Sequence, residues 1–376
     1  MIPMDFKRTP QQNMLLRMVS EFTDKEVAPF DMQIDREGQY PDGLFQKMID
    51  TGFLGIMLPR EFGGAEFDPE ITAEAIRRMA VGNASAAVTL EGHYKTVDQI
   101  LKFGTPALQA AYLPSANKRI FAFSMTESTG GSNPYGIQTT AKRVGDNWII
   151  SGNKIMITNG GLAEVYCVLV KTAADELSVF LVDKDMPGFS FGKQEDFIGL
   201  RGVPVGEIVL DNVRVSADHL LGKLGDGMMI GDSAHDDARI LMGAALTGIM
   251  EHALQVATDY ANERKSAAGT IGQLQSIQRK IADIAIGKET TKLLYQRAAL
   301  LKANSQPYSE EATMAKAYGS RTAVSACDDA LQVLAGYGYS REYPLAHLIM
   351  DARAMEIAEG TVEKMRTAIA VAELNK

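Results

Sequence analysis

Between residues 121 and 231 the chain changes texture, and that change limits its possible folds more than any other feature. The stretches "NWIISGNKIMITNGG", "VYCVLVK", "LSVFLVDK" and "GEIVLDNVRV" are short, rich in β-branched residues and bounded by Gly, Pro or Asn. Such spacing predicts the strands of an antiparallel barrel or sandwich. On either side the period becomes helical. Before the block, "QQNMLLRMVSEFTDKEVAPF" sets apolar residues three and four apart among charges and closes at Pro29; "PEITAEAIRRMA" and "HYKTVDQILKFG" read the same way. Beyond it, from Asp232, the helices run long. Ile277, Ile281 and Ile284 fall on one helix face, and "SEEATMAKAYGSRTAVSACDDALQVLAG" closes at Gly336. Long helices with an apolar face bury it on one another, which predicts a bundle. The expected fold is therefore α+β: an N-terminal helical domain over residues 1–121, a middle β-domain over 122–231 and a C-terminal helical bundle over 232–376.

Charge and composition exclude several functions. Lys and Arg number 38 against 47 Asp and Glu, a net charge of −9 that argues against nucleic acid as a partner. The start "MIPMDFKRTP" has no apolar core of a signal peptide, and no apolar run approaches the roughly 18 residues of a membrane span. Cys167 and Cys327 stand far apart without a CxxC or a His-rich companion, so buried thiols in the cytoplasm are expected, with no disulfide and no metal site. The stretch "AHDDAR" has a single imidazole and reads as the start of a surface helix. Neither a GxGxxG after a strand nor a GxxxxGKS occurs, so both common nucleotide fingerprints are missing.

One short stretch poses a chemical question. In "AMEIAEGTVEKM", residues 354–365, a helical pattern breaks at Gly360 and Thr361 and then resumes. A Gly after a helix end is ordinary capping chemistry, and Glu359 beside it reads as a solvated residue. With Ala358 and Gly360 on either side, it equally reads as a carboxylate projecting into a cavity.

Longer segments bear on that choice. "FAFSMTESTGGSNPYGIQTTA" followed by "WIISGNKIMITNGG" resembles the flavin-binding core of the acyl-CoA dehydrogenase family. "IGLRGVPVGEIVLDNVRV", "YANERKSAAGTIGQLQSIQ" and "LQVLAGYGYSREYPLAHLIMDARAMEIAEGT" are similar to further signatures of that family, in the same order and over nearly the whole chain. The resemblance implies FAD in a cleft between the domains, and an acyl-CoA thioester oxidised by loss of an α-proton to Glu359 and of a β-hydride to flavin N5. A thioester α-proton is only weakly acidic, so the base is expected to be partly desolvated with its pKa raised toward neutrality. The enolate-like charge also needs hydrogen bonds, which the resemblance assigns to the Glu359 N–H and a ribityl hydroxyl of FAD. Some members carry the base on another helix, but Ala238 stands at that position here.

The resemblance assigns further roles. Phe123, Met125, Thr126, Gly131, Ser132, Met156 and Thr158 match positions lining the flavin, and Ser132 also matches a CoA contact. Arg264 and Gln275 match residues that reach the FAD of a neighbouring subunit, which implies a homo-oligomer, a tetramer by analogy. Gln332, Gly336, Thr361 and Glu363 match further cofactor positions. Asp236 and Arg239 match residues near CoA and the base, and Gly360 leaves room for the thioester. The implied electron acceptor is an electron-transfer flavoprotein, and the implied setting is fatty acid metabolism. Several residues depart from the family pattern: "ESTGGSN" replaces a Pro-containing acidic loop, Met156 replaces an aromatic residue over the flavin, Ala358 a tyrosine, Ala267 a phenylalanine and Glu363 a glutamine. Glu91, His93 and Lys95 lie on the helix that usually floors the acyl pocket; they are expected to be exposed helix residues, the alternative being pocket residues that favour a short or polar acyl group. An enoyl-CoA reductase, an acyl-CoA oxidase or a nitroalkane-oxidase-like enzyme shares these motifs, and a non-catalytic binding role is the remaining alternative.

Overall fold

The β-rich block forms strands because its apolar residues alternate and so divide between two cores. In the computed structural model, which describes residues 7–267 and 269–376, strands β1 (Phe121–Ser124), β2 (Thr140–Val144), β3 (Asn147–Thr158), β4 (Val165–Ala173), β5 (Glu176–Asp183), β6 (Phe189–Gln194), β7 (Val205–Ser216) and β8 (Leu220–Leu221) make one sheet. Its order is β6-β7-β3-β2-β4-β5-β8, with β1 beside β4. Pairing is mostly antiparallel, while β1 runs parallel to β4 and Thr140 of β2 pairs parallel with Lys171. Val165, Cys167 and Leu169 enter one core, and Tyr166, Val168 and Val170 enter the other. Burial on both faces explains why β4 reads as a continuous apolar run. Each such side chain contributes roughly 1.5–3 kcal/mol.

Helices α1 (Pro10–Phe22), α2 (Asp31–Glu37), α3 (Leu44–Asp50), α4 (Pro69–Gly82), α5 (Ala84–Phe103) and α6 (Pro106–Tyr112) precede the sheet. Their starts are written in the sequence. Thr9 and Gln12 form a reciprocal cap before Pro10, and the side chains of Asp68, Asn83 and Thr105 accept from the backbone N–H groups of Ile71, Ala86 and Leu108. Pro29 does not close a helix. The chain turns through Thr23–Val27 and Ala28–Phe30 directly into α2, with Pro29 in a first turn where its missing N–H costs nothing.

After the sheet come α7 (Gly227–Glu263), α8 (Gln275–Ala303), α9 (Ser309–Leu334), α10 (Leu345–Ile357) and α11 (Val362–Leu374). The first of these begins five residues before Asp232, so "AHDDAR" lies inside α7, with Asp237 and Ala238 buried. Although α7 is long and apolar enough to cross a membrane by composition, 72% of that stretch is buried against protein. It is the central helix of the bundle, packed on α4, α5, α8 and α9. On α8, Ile284 is buried while Ile277 and Ile281 are partly buried against the core.

Candidate active site

The break at residues 358–361 is a two-residue left-handed linker. Ala358 closes α10 by donating its N–H to Ala354 O at 3.0 Å, then turns extended. Glu359 (φ 55°) and Gly360 (φ 94°) both enter the left-handed region, and the Thr361 hydroxyl caps α11 by accepting from Lys364 N–H at 3.3 Å. Only glycine takes the second position without strain. At the first, a glutamate bears a cost on the order of 1–3 kcal/mol, a kind of strain that gathers at functional sites. Two cations hold the linker: Arg239 Nε donates to Glu359 O at 3.3 Å, and Lys316 Nζ donates to Gly360 O at 2.6 Å. Burial pushes Lys316 down to about 7, against the pull of Glu359 and with a smaller push from Arg239.

The Glu359 side chain, 12% exposed, points inward, which settles its conformation in favour of the cavity. Lys95 Nζ pairs with Oε1, and His235 Nε2 lies 3.7 Å from Oε2. Lys95 Nζ also lies 3.4 Å from Glu91 Oε1. Burial alone raises a carboxyl pKa, but the Lys95 charge, then His235, pull Glu359 down to about 2. The expected raised pKa is thus reversed, because the sequence does not reveal the buried ammonium. Glu91, by contrast, is pushed up to about 8 by burial; the pull of Lys95 opposes this and exceeds the repulsion from Glu359.

Glu91, His93 and Lys95 were expected at the surface; they are 0%, 0% and 5% exposed. The reason is that α5 is wrapped by α4, α7 and β1. His93 is a structural latch: its Nδ1 accepts from Phe121 N–H at 3.1 Å, leaving Nε2 to donate to Leu54 O at 3.2 Å. Lys95 is otherwise placed, since it lines a cavity of about 150 Å³ with Tyr94, Asp98, Ile240, Leu241 and Lys302.

A ring of contacts joins the base to the flavin-motif residues. One helical turn before Lys95, a Cβ on Gly92 would lie 3.0 Å from Thr158 Cγ2, so α5 seats directly on the end of β3. Within β3, Ile155 N–H donates to Thr126 O at 2.9 Å, bringing Thr126 beside Met156. The 127–139 loop is organised from below. Glu127 accepts from Lys154 Nζ at 2.6 Å and from Thr139 N–H at 3.2 Å, and Lys154 is wholly buried. Ser132 O accepts from Lys364 Nζ at 3.2 Å, which returns the ring to α11. Gly131, Ser132 and Glu363 are exposed, Thr126, Thr158 and Thr361 half-buried, Phe123 partly buried, and Met125 buried. Met156 is 47% exposed with φ 58°, at a bulge where the β3–β7 register shifts. Asp236 and Arg239 pair at 2.9 Å beside the linker.

The remaining predicted residues gather elsewhere. Arg264 ends α7 with its guanidinium 5.8 Å from the Tyr337 ring, next to Gly336. Its carbonyl accepts from Ile271 N–H at 2.8 Å, close before Gln275, and all of Arg264, Gln275, Gln332 and Gly336 are exposed. At 1.5 Å per residue, Arg264 lies about 37 Å along α7 from Arg239. The site residues therefore form two groups at opposite ends of the bundle. Sequence reasoning missed His235, Lys316, Glu127 and Lys154 as members of the first, and read Lys95 as exposed.

Three descriptions of the acyl-CoA dehydrogenase family match this chain: the N-terminal domain over residues 9–118, the middle domain over 122–213 and the C-terminal domain over 225–374. The chain belongs to the acyl-CoA dehydrogenase family of FAD-dependent oxidoreductases. It is 36% identical over 368 residues to an acyl-CoA dehydrogenase of Bacillus subtilis (96% of this chain, 97% of that one). It is 35% identical over 375 residues to the acryloyl-CoA reductase (NADH) of Anaerotignum propionicum (98% and 95%). The butyryl-CoA dehydrogenase structure from Megasphaera elsdenii superimposes with a TM-score of 0.96 at 32% identity, covering 99% of this chain and 100% of that one. A structure described with the electron transferring flavoprotein of Acidaminococcus fermentans does so equally at 35% identity, again covering 99% and 100%. The residues present fit a flavin. A half-exposed Met156 beside the hydroxyl-bearing Thr126 and Thr158, with a Gly/Ser loop tied down opposite, offers an apolar face rimmed by hydrogen-bonding groups.

Proposed function

We propose that this enzyme removes the α- and β-hydrogens of a short acyl-CoA thioester, with Glu359 as the base, and passes electrons to an electron-transfer flavoprotein. The observation that carries the reading is the inward carboxylate of Glu359, held on a strained linker inside the ring of residues described above. FAD, when bound, supplies the hydride acceptor, and Phe123, Met125, Thr126, Gly131, Ser132, Met156, Thr158, Thr361 and Glu363 are the residues that would hold it. Glu359 takes the α-proton. Its own N–H, on the same linker, is the donor that the family resemblance assigns to the thioester oxygen as charge develops there. Arg239 and Lys316 keep that N–H and carboxylate in register by fixing the neighbouring carbonyls. Asp236 and Ser132 stand where the CoA arm enters in the family, and Gly360 leaves the approach clear. A short chain agrees with Lys95, which stands between Glu359 and the 150 Å³ cavity. The butyryl-CoA dehydrogenase likeness points the same way.

The second group of residues supports assembly. Arg264, Gln275, Gln332 and Gly336 lie too far from Glu359 to serve the same cofactor, so they are read as reaching the FAD of a neighbour in a homo-oligomer, a tetramer by analogy. A charge-assisted bond to phosphate contributes roughly 1.5–3 kcal/mol, so Arg264→Ala is expected to weaken FAD binding about tenfold or more. A fully active, FAD-replete monomer in sedimentation contradicts that assignment.

The reverse reaction, reduction of an enoyl-CoA, is the second reading, favoured by the likeness to acryloyl-CoA reductase. Anaerobic bleaching of the bound flavin by a panel of acyl-CoAs tests the first reading. Reoxidation by the matching enoyl-CoA together with failure of every saturated thioester replaces it with the second.

A further inference from the structure

The two oxygens of Glu359 are not equivalent. Lys95 Nζ holds Oε1, while Oε2 has no hydrogen bond among the described residues and faces His235 Nε2 at 3.7 Å. An α-proton taken by this base therefore lands on Oε2, and it must leave again before the next cycle. A thioester seated against a carboxylate that is already mostly buried excludes water from it, so a neighbouring group has to carry the proton out. Lys95 and Arg239 are cations with no lone pair to offer. Lys316 points at Gly360 O and is wholly buried, as is Glu91 beyond Lys95. His235, from α7, remains. Its side chain is 27% exposed and makes no hydrogen bond among the described residues. The other histidines are engaged or sealed. His93 and His347 use both ring nitrogens, His219 meets Ser216 Oγ at 3.0 Å, and His252 Nδ1 is buried without a partner among the described residues. Burial pushes His235 down to about 4 against the pull of Glu359, with smaller pushes from Arg239 and Lys95 and a slight pull from Asp232. The ring is thus neutral at pH 7 with a lone pair free, and it passes a proton on rather than storing it.

We propose that His235 is the proton relay of the site, carrying the α-proton between Glu359 Oε2 and solvent while Lys95 keeps its place on Oε1. This rests on the reading of Glu359 as the base. The substrate Cα–H bond breaks, its electron pair stays on the thioester and the proton bonds to Oε2. That O–H bond then breaks as an N–H bond forms at Nε2, giving a short-lived imidazolium beside the restored carboxylate. Water takes a proton from the exposed ring, and Glu359 is again the charge partner of Lys95. The 3.7 Å contact is within about 1 Å of transfer distance, and catalytic contacts in empty sites commonly tighten by that much when the substrate binds. Run backwards, the same relay supplies the proton that reduction of an enoyl-CoA requires.

The test follows the proton rather than the flavin. The FAD-loaded enzyme is incubated in heavy water with 3-thiabutyryl-CoA, which has α-hydrogens but a sulfur at the β-position and so no hydride to give. Mass spectrometry of the recovered thioester reads deuterium entering Cα. In His235→Ala and His235→Gln this exchange is expected to fall at least about tenfold further than flavin reduction by butyryl-CoA, which requires only the first transfer. Added imidazole restores exchange in His235→Ala, where the ring's place is vacant, and leaves His235→Gln slow. Wild-type exchange in both variants, with exchange lost in Glu359→Gln, overturns the relay and keeps the base. An equal fall of exchange and reduction without rescue by imidazole makes His235 structural and also overturns the relay. So does a wild type that exchanges nothing while butyryl-CoA still bleaches its flavin. Undiminished exchange in Glu359→Gln overturns the relay and the base together.

Discussion

Two buried charge clusters in this molecule look alike on paper and differ in completeness. Around His347, Nε2 meets Asp31 at 3.0 Å and Nδ1 meets Asp351 at 3.2 Å. Asp31 also accepts from Asn83 Nδ2 at 2.8 Å, and Asp351 accepts from the Leu200 N–H. That cluster joins α2, α5, α10 and the loop before β7 with its ring nitrogens and carboxylates engaged. Around Glu359, one ammonium faces two carboxyl groups, and the Glu91 oxygens have no hydrogen bond among the described residues. Saturated clusters hold elements together, whereas an unsaturated one keeps a cost that only a bound molecule or a change of partner removes.

The sharpest break in that comparison is Glu359→Gln. It is nearly isosteric, so FAD and fold are expected to remain while flavin reduction by butyryl-CoA falls on the order of 10²–10⁴-fold or more. Bleaching at a near wild-type rate removes Glu359 from the mechanism and makes its cluster merely another structural one.

The complementary change is His347→Ala. Removing the partner of two buried carboxylates should cost about 3–5 kcal/mol of stability. Activity per folded, FAD-loaded enzyme should stay unchanged, because His347 touches nothing in the Glu359 group. The cluster also predicts a pH signature. Burial opposes the imidazolium, but the hydrogen bonds and charges of Asp31 and Asp351 raise His347 from 6.5 to about 10. A raised base binds its proton more tightly when folded, so its contribution is complete below about pH 6.5 and is lost as pH rises through 10. Urea midpoints measured from pH 6 to 10 should fall in the wild type and flatten in His347→Ala. Parallel curves would show that His347 is neutral and the cluster weaker than its geometry.

The same contrast explains what could be read without a structure. The three-part architecture was legible because period-two and period-3.6 patterns are local properties of the sequence. The place of Glu359 at a helix break was legible, and the family resemblance supplied its proposed role as base. Lys95 was not legible, because a Glu and a Lys four apart on a helix are usually a solvated pair. A signal was nonetheless present: "ASAAVTLEGHYKTV" is small or apolar around much of its circumference, as in a helix with no solvent face, which makes Glu91 and Lys95 anomalous. The pKa of Glu359 was beyond reach, since its direction depends on which side chain 264 positions away meets it.

The smallest expected effect concerns the opposite wall of the site. Met156 is half exposed on a left-handed backbone position, where the family resemblance expects an aromatic cover for the flavin. Methionine still makes sulfur–aromatic contacts of about 0.3–1.5 kcal/mol, so it packs a bound ring without providing a flat surface to stack on it. Met156→Trp is therefore expected to lower flavin emission and slow reoxidation by air, by factors of a few. The substitution keeps the backbone strain, since tryptophan has no better access to φ 58° than methionine, and a modest loss of stability should accompany it. Matching emission spectra and oxygen rates for the two proteins would show that neighbouring side chains already cover the ring.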